Sequence, residues 1–243
     1  MDEIKTTGIV LGSKDYKEKD KLVTIFSLEY GKILASLKGC KMPTSKLKFA
    51  YQPFCFAEFF LDKKGDCFTI INCNLLESFY DLTVNPNNYI YASLMLEIVG
   101  YYSSMEQEDY SKMFIDLLDS LKQICYDNSR ADVVSAKFCL NMLSLIGYRL
   151  SFDICNKCKE KFKSNIYLDI ETGEFVCENC KSYANLQISK MAYSYLRLLD
   201  NTEISRLNTL KLKEEVLKEI ILLLCNNLQN KLGYEIKTKK YII

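Results

Sequence analysis

The chain has no histidine among its 243 residues. Ser-His-Asp and Cys-His catalysis, HExxH zinc hydrolysis and histidine proton shuttles are excluded together, since each needs an imidazole to take or hold a proton. Two phosphate-cradling motifs are also missing: there is no GxxxxGK[ST] loop, and no GxGxxG follows a strand-like segment. Long apolar runs are absent; the most apolar stretch, Ile220 to Leu224, is far too short to cross a bilayer. The opening Met1-Asp2-Glu3 is acidic and lacks the basic and apolar regions of a secretory leader, so a cytoplasmic protein is expected. Neither sign of charge dominates, and a net charge of +1 taken over the whole chain speaks against a nucleic-acid partner. With 49% hydrophobic and 26% charged residues the composition is that of a globular protein, long enough to bury one large core or a few small ones.

Cysteine, by contrast, is plentiful, with eleven in the chain. Cys55, Cys67, Cys73, Cys125, Cys139 and Cys225 are scattered through apolar runs and read as free thiols in a reducing compartment rather than as a disulfide framework. The stretch from Cys155 to Cys180 differs. It carries two Cys-x-x-Cys knuckles, Cys155/Cys158 and Cys177/Cys180, at a separation suited to a four-thiolate zinc site. Two residues between paired cysteines let a tight turn aim both sulfurs at one ion, and the intervening segment can travel out and back as a hairpin. Asn165 to Ile170 is the expected outgoing strand, Glu171 to Glu174 the turn around Gly173, and Phe175 to Cys177 the return. Four protein thiolates would fill the shell of one Zn2+ and leave no position for water or substrate, which makes the site structural rather than catalytic. A redox-active CxxC pair and a coincidental grouping are the competing readings.

Residues 1–80 read as five short strands: Lys5 to Leu11, Lys21 to Leu28, Lys32 to Lys38, Phe54 to Leu61 and Cys67 to Cys73. Glu29-Tyr30-Gly31 and Asp62 to Asp66 supply tight connections, and a longer polar break follows the third strand, a pattern that suits a small closed barrel of the OB type. Between Glu29 and Glu58 lie Lys32, Lys38, Lys41, Lys46 and Lys48 with no acidic residue, either a solvated loop or a phosphate-binding face. Strand alternation puts Lys32 and Lys38 on one outward side. Tyr30, Phe49 and Tyr51 near this loop are either barrel core or stacking platforms for bases.

From Asn87 the period becomes helical. Ile90, Leu94 and Ile98 recur every four residues; Tyr110 to Ile124 and Ala131 to Ile146 follow, the latter stopping at Gly147. Lys190 to Leu199 and Leu210 to Leu232 are helical again beyond the cysteines. The expected architecture is therefore an α+β multidomain chain: an N-terminal OB-type β-barrel over 1–80, then an α-helical domain over 81–243 carrying a zinc hairpin at about 151–184. These helices are expected to form one bundle, with the hairpin standing off it.

Several stretches resemble the RecO family of bacterial recombinational repair proteins. Gly8-Ile9-Val10-Leu11 with Asp20 to Thr24 is similar to its first two strands, Tyr30-Gly31-Lys32 and Lys38-Gly39 through Lys41 to its basic third strand, and Gln52-Pro53-Phe54 to the approach to its fourth. Phe138 to Tyr148, Cys155 and Cys158, then Thr172 to Cys177 and Cys180, resemble its helix-to-zinc segment, so the likeness spans almost the entire chain. The resemblance implies a mediator without enzymatic turnover. Such a protein binds single- and double-stranded DNA, anneals strands coated by single-stranded DNA-binding protein, and with RecR helps load RecA onto gapped DNA. It implies DNA binding on the barrel at Lys32, Lys38 and Lys41, with Lys46 and Lys48 as neighbours, one structural Zn2+ on the four cysteines, and docking of the acidic C-terminal tail of the single-strand binder on the helical region. Many relatives place arginines after the third strand; this chain has Lys41-Met42-Pro43 and no arginine before Arg130, which implies phosphate contacts that are more salt-sensitive. Some relatives have lost their cysteines, and this chain keeps all four. The rival class is a zinc-dependent or CxxC redox enzyme that uses an OB module to hold nucleic acid; a second rival is a sequence-specific zinc-ribbon regulator.

Overall fold

The computed structural model describes residues 2–103, 109–127, 129–163, 165–169, 171–183 and 185–242. Five strands close into a barrel in the order β1-β2-β3-β5-β4: β1 Asp2–Tyr16, β2 Asp20–Ser27, β3 Gly31–Leu37, β4 Phe56–Lys64 and β5 Cys67–Glu77. All neighbours are antiparallel except β3 and β5, which close the barrel in parallel at Ala35↔Phe68 and Ser36↔Thr69. In β3, Ile33, Ala35 and Leu37 point inward, joining Val10, Val23, Ile25, Phe59 and Leu61 in the barrel core. The expected OB-type barrel is thus present.

Its strands differ in length from expectation. β1 runs on to Tyr16, with a register shift between Val10 and Gly12 that bends it so its first half pairs with β4 and its second with β2. Phe54, expected to open the fourth strand, has φ +69° and is fully buried with its ring against Tyr89, and this left-handed backbone delays β4 to Phe56.

The helical stretches follow as α1 Asp81–Val84, α2 Pro86–Tyr102, α3 Ser111–Cys125, α4 Ala131–Leu145, α5 Lys190–Asn201 and α6 Glu214–Leu232. Pro86 begins α2 where no amide hydrogen is needed, and the Asn85 side chain caps it by accepting from the amides of Asn87 and Asn88. The division at 80/81 expected from the change of period follows chain order; packing divides the chain differently. One compact unit is Met1–Tyr89 with Leu96–Cys125, and the other is Ile90–Met95 with Tyr126–Ile243. The expectation of a single helical bundle is corrected accordingly: α3 packs on the barrel, where Phe114 meets Phe26 at 5.4 Å and Phe56 at 6.1 Å between ring centroids. An apolar stripe defines a buried face but leaves the partner open, and two barrel aromatics win this one.

In the second unit α4, α5 and α6 pack together. The cysteine segment forms a three-stranded antiparallel sheet, β7-β6-β8, from β6 Ile166–Leu168, β7 Phe175–Cys177 and β8 Leu186–Ile188. The expected hairpin is there, with a third strand the sequence reading missed; Ile170, the expected end of its first strand, lies outside the described residues. The hairpin does not stand off the helices. Phe175 is fully buried against Phe152 and Tyr193, and Gly173 sits against Asn227 of α6. No helix among the described residues is long and apolar enough to cross a membrane.

Candidate metal centre and nucleic-acid interface

The first knuckle is a turn in which Lys159 adopts φ +60° and donates its amide to Cys155 O at 2.8 Å, while Cys155 N donates to Glu160 O at 2.8 Å. The second knuckle is the 3-10 turn Glu178–Cys180 directly after β7. Pairing of β6 with β7 sets Ile166 opposite Cys177, and Asn156 N donates to Phe175 O at 3.0 Å, which draws the first knuckle onto the second.

The result is four sulfurs, those of Cys155, Cys158, Cys177 and Cys180, all within 4.8 Å of one another. Cys158 Sγ and Cys177 Sγ are 3.8 Å apart. A tetrahedron with metal–sulfur bonds of about 2.3 Å has edges of about 3.8 Å, so the spacing matches a thiolate-bound ion. The sulfurs differ in acidity. Burial alone would raise the Cys155 thiol, but the amides of Cys158, Cys177 and Lys157 directed at it bring it down to about 6. Cys180 is pushed up to about 12 by its hydrogen bonds with the Cys177 and Cys158 side chains. Four thiolates this close repel one another unless a cation lies between them, and a single divalent ion satisfies the set. Soft, tetrahedral sulfur donors select zinc or iron and disfavour hard cations.

Around the centre, the near-buried Asp169 accepts from the amides of Glu171 and Thr172 at 3.1 Å each and pairs with Lys157 at 3.1 Å. Burial would raise its carboxyl, but the Thr172 amide and Lys157 hold it below the ordinary value. A cleft between the hairpin and α5 is lined by Phe152, Lys161, Lys163, Lys190, Tyr193 and Arg197 among others. The carboxylate in this lining, Asp153, is engaged by Arg197 at 3.0 Å, so the cleft suits anionic groups better than acid–base chemistry.

On the barrel, Lys32, Lys38, Lys41, Lys46 and Lys48 are all exposed. The structure does not gather them into one cluster. Lys32 lies on the outward side of β3 and Lys38 keeps the same parity just past its end, about 20 Å away along the strand direction. Lys48 donates from Nζ to Pro43 O at 3.1 Å within the loop that follows. Lys41 N donates to Lys19 O at 3.1 Å, which ties that loop to the β1–β2 hairpin.

That tie alters the electrostatics. The run from Glu29 to Glu58 is free of acidic residues in sequence but not in space: Asp15 Oδ2 pairs with Lys41 at 3.0 Å, and Asp20 Oδ1 accepts from Gly39 N at 2.8 Å. The hairpin also delivers Lys21, which sequence reasoning missed. Its ammonium donates to Asp15 Oδ1 at 2.7 Å and lies 4.9 Å from the centroid of the Tyr51 ring. The missed signal was the alternation of charges from Lys14 to Lys21 around a turn at Lys17–Lys19, which pairs Asp15 with Lys21 once β1 is long enough. Phe49 and Tyr51 pack partly buried against the barrel core, whereas Tyr30 is exposed beside Lys32.

Two family models match consecutive parts of the chain: recombination protein O N terminal over residues 1–79 and recombination protein O C terminal over residues 84–240. Among curated relatives, DNA repair protein RecO of Acetivibrio thermocellus is 32% identical over 223 residues, covering 90% of this chain and 88% of the relative. DNA repair protein RecO of Clostridium novyi is 30% identical over 216 residues, covering 89% and 84%. DNA repair protein RecO of Bacillus pumilus is 29% identical over 241 residues, covering 98% and 93%.

Proposed function

The chain belongs to the recombination protein O family, and from that premise we propose that it is a DNA repair mediator whose barrel holds DNA by its phosphates. On this reading it binds single and double strands, anneals complementary strands coated by single-stranded DNA-binding protein, and acts with RecR to help RecA onto gapped DNA. The acidic C-terminal tail of the coating protein docks on the helical region. The place of action is the bacterial cytoplasm, on the nucleoid during repair. The observation that carries the reading is the closed barrel with Lys32, Lys38, Lys41, Lys46 and Lys48 exposed on β3 and the loop after it. Cations spread along a strand and loop neutralise successive phosphates without reading sequence, which fits annealing of arbitrary strands.

The four cysteines hold one Zn2+ in this proposal, and the ion supplies a cross-link for the β6–β7 hairpin rather than a reacting centre. Both 1–80 as the DNA-binding part and 81–243 as the partner-docking part are portions of the same proposal. A strand-annealing assay with oligonucleotides precoated by the single-strand binder tests it: the protein should speed annealing, and failure to do so on coated DNA refutes the mediator reading. Metal analysis tests the centre independently. One tightly held zinc per chain with four protected thiols is expected; a zinc-free protein in which Cys155 and Cys158 form a reversible disulfide would favour a redox enzyme.

A further inference from the structure

Asp15 stands at the end of β1 opposite Lys21 of β2, and its two carboxylate oxygens are engaged by different lysines. Oδ1 accepts from Lys21 Nζ at 2.7 Å and Oδ2 from Lys41 Nζ at 3.0 Å. The two cations come from separate segments, the hairpin and the loop after β3, and each is held by more than the carboxylate. Lys21 lies against the Tyr51 ring, and the Lys41 backbone is tied to Lys19 O. Two ammonium groups thus converge on one small oxyanion, the arrangement needed to grip two oxygens of one phosphate. The carboxylate is 64% exposed while Lys21 is only 18% exposed, so the cations form the seat and the anion is the replaceable part. The carboxyl of Asp15 is held below its ordinary value by Lys21 and then Lys41, so it stays charged near neutrality. Exposed ion pairs of this kind are weak, and a phosphate arriving with its neighbours on a strand can displace one.

We propose that Asp15 is a built-in stand-in for phosphate: in the free protein it holds Lys21 and Lys41 as a preformed two-cation seat, and a nucleic-acid strand binds by setting one backbone phosphate in its place. The inference rests on the barrel being the DNA surface. It adds Lys21 to the lysines that contact the strand, and it gives Asp15 two opposed effects, keeping the seat in shape and lowering affinity. It also accounts for how a seat with two clustered lysines avoids repelling itself in the absence of DNA.

The test is the affinity of the full chain for oligothymidylate across a salt series, for the unsubstituted protein, Asp15→Asn, Asp15→Ser and Glu58→Gln. Glu58 pairs with Lys5 at 2.8 Å near the opposite end of β1, so its substitution makes the same charge change away from the seat. Both Asp15 variants should bind roughly threefold to tenfold tighter at low salt, with a salt slope steeper by up to about 0.7 because no carboxylate takes up a cation on release. Glu58→Gln should stay within about twofold of the unsubstituted protein, since separated surface charges are screened. Equal or weaker binding by both Asp15 variants, with melting unchanged, overturns the inference, as does an equal gain from Glu58→Gln. If Lys32→Glu, Lys38→Glu and Lys41→Glu together leave binding untouched, the barrel reading itself fails, a result distinct from failure of the Asp15 variants alone.

Discussion

At Gly173 the backbone turns with φ +72°, and a Cβ built there would lie 2.1 Å from Asn227 Oδ1, while Asn227 Nδ2 donates to Gly173 O at 3.1 Å. Gly173→Ala therefore meets both a left-handed backbone penalty and the buried Asn227 side chain; a loss of about 2 kcal/mol or more is expected in denaturant unfolding of the second unit. Asp169 gives a pH dependence. Its folded pKa lies below the ordinary 3.8, so its contribution to stability is whole above that value and is lost as pH falls through the lower folded value. The difference in melting temperature between the unsubstituted protein and Asp169→Asn should accordingly hold steady above about pH 4 and shrink as the pH falls below it. At this scale the four cysteines were legible because ligand spacing is a local property of the chain, and the outward lysines of β3 because strand parity is. Asp15 and Lys21 were not, because their meeting with Lys41 depends on a hairpin and a loop approaching in space.

Among the elements, α3 and the cysteine sheet make the sharpest claims. Phe114 is nearly buried between Phe26 and Phe56, so Phe114→Ala should cost about 3 kcal/mol or more in equilibrium unfolding and loosen α3 first, seen as faster amide exchange there than in β2 or β4. If the four cysteines hold the proposed zinc, stripping it should lower exchange protection in β6 and β7 while leaving β1 to β5 protected, because the sulfurs join the two knuckles. Loss of protection in the barrel as well would show that the hairpin is not an independent fastener. The strand β8 went unread because Leu186–Ile188 is only three residues long, and only pairing with β6 makes it a strand. The destination of α3 went unread because periodicity fixes which face is buried and says nothing about what buries it.

For the molecule as a whole, charge is near balance, so any phosphate-binding face on the barrel comes from the local run of lysines on β3 and the loop after it rather than from an excess of positive charge. The order of strands, helices and cysteine knuckles was readable from period and spacing, and the family followed from that order more than from any one piece. The central proposal is that the barrel lysines, and not the cysteine hairpin, hold the strand. Its most direct test is oligothymidylate binding across a salt series, comparing the unsubstituted protein, the triple variant Lys32→Glu, Lys38→Glu, Lys41→Glu, and the metal-stripped protein. The account expects the triple variant to bind at least tenfold more weakly at low salt, with a slope reduced by about 0.7 for each lost phosphate contact, and the metal-stripped protein to keep most of its affinity. Undiminished binding by the triple variant, or loss of binding on metal removal while the barrel stays folded, would contradict it.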